Sequence, residues 1–180
     1  MIPKIVHMVL FQVVWFVCVL SGKHQRPEIA VAASILMVWV GLRTTGSRPL
    51  EMLRLLGAVV VVGFVADSLN LVIGVFALNG TPRYPHVCPL WLAALWAAFG
   101  TTLRGPLSWL AGRYWLSAAL GSVAGAGSYL AGARLGAVTL NPDWLFSTAV
   151  LVVMWAALMP LLIWLAHGGC LAPRQQEKAS

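Results

Sequence analysis

Apolar residues run along this chain in blocks rather than in stripes. Six blocks stand out: about Ile5 to Leu20, Ile29 to Leu42, Leu53 to Leu78, Val87 to a break at Gly105-Pro106, Trp115 to Val138, and Trp144 to Ala166. A helix at the surface of a soluble domain is apolar on one face only, whereas a segment apolar all round suits hydrocarbon as its solvent. Each block therefore predicts a transmembrane helix. The second is short against the roughly 17–25 residues a span takes, and becomes adequate once flanking loop residues are included. The stretches between blocks are turn formers: Thr44-Thr45-Gly46-Ser47-Arg48-Pro49, Asn79-Gly80-Thr81-Pro82-Arg83-Tyr84-Pro85, and Asn141-Pro142-Asp143.

Local signals refine this pattern. Pro106 lacks a backbone N–H and disfavours the helical conformation in the residue before it, which predicts the end of the fourth helix. Leu107 to Trp115 is then expected along the inner interface, with Trp109, Tyr114 and Trp115 as belt aromatics. Pro160 predicts a kink in the sixth helix, and Gly168-Gly169 its stop. Asp143 lies near the start of that helix, where the dipole favours a carboxylate. The first block does not read as a cleaved signal: it has no small-x-small site, and Trp15 and Phe16 are bulky where a peptidase needs small residues. Cys18 follows Val17, which excludes a lipoprotein site.

Composition agrees with a membrane protein. Of 180 residues, 60% are hydrophobic and 9% charged, against about 25% charged in ordinary soluble domains. The net charge of +7 sits between apolar blocks, so it reads as a topology and anionic-lipid signal rather than a nucleic-acid surface. With the N-terminus inside, the inner side holds Lys4, Arg43, Arg48, Arg54, Arg104, Arg113, Arg174 and Lys178, and the outer side only Lys23, Arg26, Arg83 and Arg134. The expected architecture is an all-α polytopic bundle of six transmembrane helices with both termini in the cytoplasm. It forms one domain over residues 1–170, followed by a polar, disordered cytoplasmic tail over 171–180. Helices two and three, and four and five, each read as a hairpin with a basic Gly/Pro turn, a weak internal echo.

Asp67 is the most informative residue. It lies deep in the third helix, and a charge at the bilayer centre costs about 2.5–3.5 kcal/mol. Asn70, one turn on, shares its face, which should point into the bundle. A proton-handling or ligand-binding carboxylate and a structural packing pair are both open readings. Arg134 is a candidate partner: by helix rise it sits about 28 Å from the inner end of its helix and Asp67 about 21 Å from that of its own, a gap an arginine can close. Arg134 reaching the outer headgroups is the alternative. Tyr129 and Ser128 are nearer in depth to Asp67 and are alternative hydrogen-bond donors. Thr101 and Thr102 complete the polar intramembrane set. Gly121, Gly125, Gly132 and Gly136 form two small-xxx-small patterns suited to helix packing, within the chain first and in a homodimer second.

No chemistry-bearing constellation accompanies these residues. Cys18, Cys88 and Cys170 have no metal spacing, and three buried thiols are expected, with a Cys18–Cys88 bridge as the alternative. His7, His24, His86 and His167 fall at different loops and ends. No metal site, cofactor, catalytic residue or P-loop is expected.

Three stretches carry a resemblance: Phe11-Gln12-Val13-Val14-Trp15-Phe16, Leu90-Trp91-Leu92-Ala93-Ala94-Leu95-Trp96-Ala97-Ala98-Phe99-Gly100-Thr101-Thr102-Leu103, and Gly127-Ser128-Tyr129-Leu130-Ala131-Gly132-Ala133-Arg134-Leu135-Gly136. With the Asp67 helix, they resemble a family of small proteobacterial inner-membrane proteins known only as domain of unknown function twenty-eight seventy-eight. The resemblance covers essentially the whole chain. It departs at Arg104-Gly105-Pro106, where relatives are expected to carry an Asn-His-like pair. It implies a place in the inner membrane near lipid-modifying enzymes, and no assigned activity. The expected function is a non-enzymatic scaffold or accessory in lipid or envelope metabolism, with membrane lipids and lipid-modifying enzymes as partners. A small, dimeric transporter or flippase using Asp67 and an intramembrane lipid-modifying enzyme are the alternatives.

Overall fold

A computed structural model describes residues 2–80 and 83–169. Among them the chain forms six helices: α1 (Ile2–Lys23), α2 (Pro27–Thr44), α3 (Pro49–Ile73), α4 (Leu90–Arg104), α5 (Tyr114–Arg134) and α6 (Trp144–His167). Four of these, α1, α2, α3 and α6, are long and apolar enough to cross a membrane. α4, at 15 residues, is about 22 Å long. The expected tail over 171–180 and Cys170 lie outside the described residues.

The helix boundaries have local causes. Proline opens α2 and α3 in the first turn, where its missing N–H costs nothing. The Asp143 carboxylate caps α6 by accepting from the Phe146 N–H at 3.1 Å. α4 stops at Arg104 before Gly105-Pro106, and a short 3-10 turn, Ser108–Leu110, leads into α5. α6 stays helical through Pro160.

Two boundaries differ from the sequence reading. α3 ends at Ile73 rather than running to Leu78, and α5 ends at Arg134 rather than at Val138. In both places a glycine takes the left-handed conformation, Gly74 at φ 79° and Gly136 at φ 82°. The next residue folds back, Val75 N–H to the Asn70 carbonyl at 2.9 Å and Ala137 N–H to the Gly132 carbonyl at 3.0 Å. The apolar residues beyond are strands, β1 (Phe76–Leu78) and β2 (Val138–Leu140), paired antiparallel. An apolar run of three residues is helix or strand by pattern alone, so hydropathy could not locate this stop.

The two units correspond at one constant offset: Gly63 to Gly125, Gly74 to Gly136, Ala77 to Thr139 and Asn79 to Asn141. Ala77 pairs with Thr139, its own counterpart, in the ribbon. The asparagines are reciprocal, Asn79 Nδ2 donating to the Gly136 carbonyl at 2.7 Å and Asn141 Nδ2 to the Gly74 carbonyl at 2.9 Å. A local two-fold axis therefore relates α3–β1 to α5–β2. This is a different pairing from the hairpin echo of helices two–three and four–five. α1 and α2 pack against each other and against α4.

The outer surface is rich in large apolar side chains, unlike that of a soluble domain. His7, Asp67, Asn70, Thr101 and Thr102 are buried, while Trp115, Val123 and Val153 are 92%, 76% and 69% exposed. Polar groups inside and apolar groups outside are what lipid demands, because nothing in hydrocarbon can satisfy a donor or acceptor.

Candidate functional site

An aromatic stack lies against Gly63 and Gly125. Trp96 of α4 and Trp155 of α6 are parallel, with centroids 5.2 Å apart and planes within 11°. Phe99 meets both edge-on, at 5.9 and 5.8 Å. Glycine makes room for each indole: a β-carbon on Gly63 would strike Trp96, and one on Gly125 would strike Trp155. The Trp155 indole N–H is buried without a partner among the described residues.

Asp67 is fully buried beside this stack. Its Oδ2 accepts from Trp96 Nε1 at 2.6 Å, and its Oδ1 accepts from the Tyr129 hydroxyl. The Cys88 thiol lies 4.0 Å from Oδ2. The Cys88 backbone N–H donates to Ser68 Oγ at 3.0 Å, fixing the loop over this end of α3. Three neutral groups thus close over the carboxyl, so it does not line an open cavity. A buried carboxyl needs such donors, since each unmet polar atom costs a few kcal/mol.

The other polar residues sit elsewhere. Arg134 is exposed at the end of α5 and is not among the groups contacting Asp67. Asn70 is buried but turns to α6, donating to Met154 Sδ at 2.9 Å. Thr102 donates to the Phe99 carbonyl at 2.6 Å, within its own helix. Thr101 belongs to a separate group at the opposite end of α4. There His7 bridges Thr44 and Thr101, with Nδ1 2.9 Å from one hydroxyl and Nε2 3.0 Å from the other. No i, i+4 partner marks His7 in the sequence, because its partners come from α2 and α4. Trp96 was likewise missed as a donor, since nothing in an apolar run distinguishes an indole that packs from one that donates.

The four glycines divide. Gly121 and Gly125 face α6: at Gly121 a β-carbon would come within 2.8 Å of the Trp155 carbonyl. A β-carbon at Gly132 meets nothing within 4 Å, and one at Gly136 meets only Lys23 methylenes, from 3.6 Å. Gly136 is therefore a helix stop rather than a packing residue. Cys18 and Cys88 are both buried and free.

A groove of about 720 Å³ opens between α1 and α5, floored by α4 and α6. Trp96, Phe99, Trp155 and Tyr129 form its inner wall, and Arg134 is its one charged lining residue. Met8, Phe16 and Leu120 stand at its rim, 40%, 46% and 40% exposed.

Residues 4–161 match a family described as a protein of unknown function (DUF2878), and the chain belongs to that family. No curated protein and no solved structure matches it significantly.

Proposed function

We propose that this protein is a six-span inner-membrane protein with both ends in the cytoplasm, serving lipid or envelope metabolism as a scaffold or accessory subunit that catalyses no reaction itself. The observation that carries the reading is the closure of Asp67. The one acidic side chain deep in the spans is occupied by Trp96 and Tyr129 and borders no water-filled path. A transported ion or proton needs access to its carboxylate, and a catalytic one needs access to substrate.

The basic-residue bias supports the orientation. Six alternating passes also put the ends of α3 and α5 on one side, where β1 and β2 must meet to pair. The second reading, a small transporter or flippase, draws on the groove open to the bilayer.

Two experiments test the proposal. Reporter fusions after residues 25, 85 and 141 should report the periplasm, and fusions at both ends the cytoplasm. A deletion strain should show an altered lipid profile that wild type and Asp67→Asn both restore. A folded Asp67→Asn that fails to restore it would favour the transporter.

A further inference from the structure

The groove between α1 and α5 is long, narrow and polarised. Its α5 wall runs from Leu120 to Arg134, about 21 Å by helix rise. It is hollow because that wall is built of small residues, among them Ala124, Ser128 and Gly132. α1 packs chiefly on α2 and α4, and α5 on α6, which leaves the slot between them open among the described residues. The wall's polar content is already spent: Ser128 Oγ donates to the Gly125 carbonyl at 2.7 Å, and the Tyr129 hydroxyl to Asp67.

Among the residues that line the groove, charge lies at one end only; Lys4, at the other end, is held outside the lining by its bond to Ser108 Oγ at 2.9 Å. Arg134 lines the groove where α5 ends. The Lys23 side chain reaches the same end, its methylenes beside Gly136. Leu107, Leu110 and Leu120 close the other end. A slot with a cationic mouth, an apolar body and a lateral opening complements an amphiphile with an anionic head. Its volume is of the size that encloses a small molecule, about 300–1,000 Å³. Its length exceeds one leaflet of hydrocarbon, about 15 Å.

We infer that this groove holds one acyl chain of an anionic phospholipid, with the phosphate at Arg134 and Lys23. The inference deepens the reading of the protein as a lipid-metabolism accessory and rests on it for the leaflet alone: in the six-span orientation the headgroup lies in the outer leaflet. The aromatic floor of Trp96 and Trp155 sets the depth of the chain, and the Asp67 carboxyl behind it stays out of contact.

The test uses the full chain reconstituted in nanodiscs of phosphatidylglycerol or phosphatidylethanolamine, with lipid retention read by native mass spectrometry. Wild type should retain one phosphatidylglycerol per chain, about tenfold over phosphatidylethanolamine, whose phosphate is the same but whose ammonium Arg134 and Lys23 repel. Arg134→Gln should abolish the preference. Ala124→Trp, which fills the slot, should abolish retention, while Val123→Trp on the neighbouring outward face should leave it intact. Thermal unfolding of each variant separates loss of the slot from loss of the fold. Equal retention of both lipids, or retention surviving Ala124→Trp in folded protein, would overturn the inference. A reporter result reversing the orientation would move the headgroup to the other leaflet and leave the binding itself standing.

Discussion

Tyr129 holds in α5 the place that Asp67 holds in α3, and its hydroxyl donates to the Asp67 carboxylate across the local two-fold axis. Two equivalent positions have thus become a donor and an acceptor, a complementary pair that identical residues could not form as well. Tyr129→Phe removes one donor and should cost about 1–3 kcal/mol; Trp96→Phe removes the other donor and part of the stack, and should cost more. Because they share one carboxyl, the double variant should depart from additivity by more than the ~0.3–0.5 kcal/mol typical of independent sites. Unfolding of the detergent-solubilised chain measures both; strict additivity would mean the two donors act separately.

Gly63 and Gly125 keep the stacked tryptophans in place. Alanine at either should push an indole aside, costing about 1–3 kcal/mol by overpacking and altering the near-ultraviolet dichroism of the stack. Gly132→Ala, which meets no neighbour, should be neutral or stabilising by up to about 1 kcal/mol through helix propensity. Equal costs at all three would remove the distinction drawn between them.

Much of this was legible in the chain and some was not. Long apolar blocks gave the six helices, Gly105-Pro106 the end of the fourth, and the deep position of Asp67 its burial. The ribbon was hidden because Phe76–Leu78 and Val138–Leu140 are as apolar as the helices before them. The visible clue was the matching pair Gly74-Val75-Phe76-Ala77-Leu78-Asn79 and Gly136-Ala137-Val138-Thr139-Leu140-Asn141, which share only the glycine, leucine and asparagine. The polar set Asp67, Asn70, Thr101, Thr102, Tyr129 and Arg134 was read as one cluster from depth along the helices. Depth alone does not fix rotation about each axis, and of this set only Tyr129 hydrogen-bonds Asp67 among the described residues.

Asn79 and Asn141 make the same bond in opposite directions. Asn79→Ala and Asn141→Ala should therefore have similar effects, each about 1 kcal/mol. Hydrogen exchange should rise over 74–79 and 136–141 together in either variant. Exchange confined to the mutated strand would show that the two ends are not coupled.

His7 ties α1 to α2 and α4 at the far end of the bundle. A neutral imidazole can donate from one nitrogen and accept at the other. His7→Phe keeps bulk but not bonding, and should cost about 1–3 kcal/mol while leaving the Trp96–Trp155 dichroism unchanged. A loss of that dichroism would place His7 in the same cooperative unit as the stack.

The pairing of β1 with β2 has a consequence for biogenesis. Phe76–Leu78 leaves the ribosome long before Val138–Leu140, yet neither strand has its hydrogen-bonding edge covered without the other. The first half must wait with that edge open until β2 has been made. Closing this seam is then a late event, which cannot precede the synthesis of Val138–Leu140.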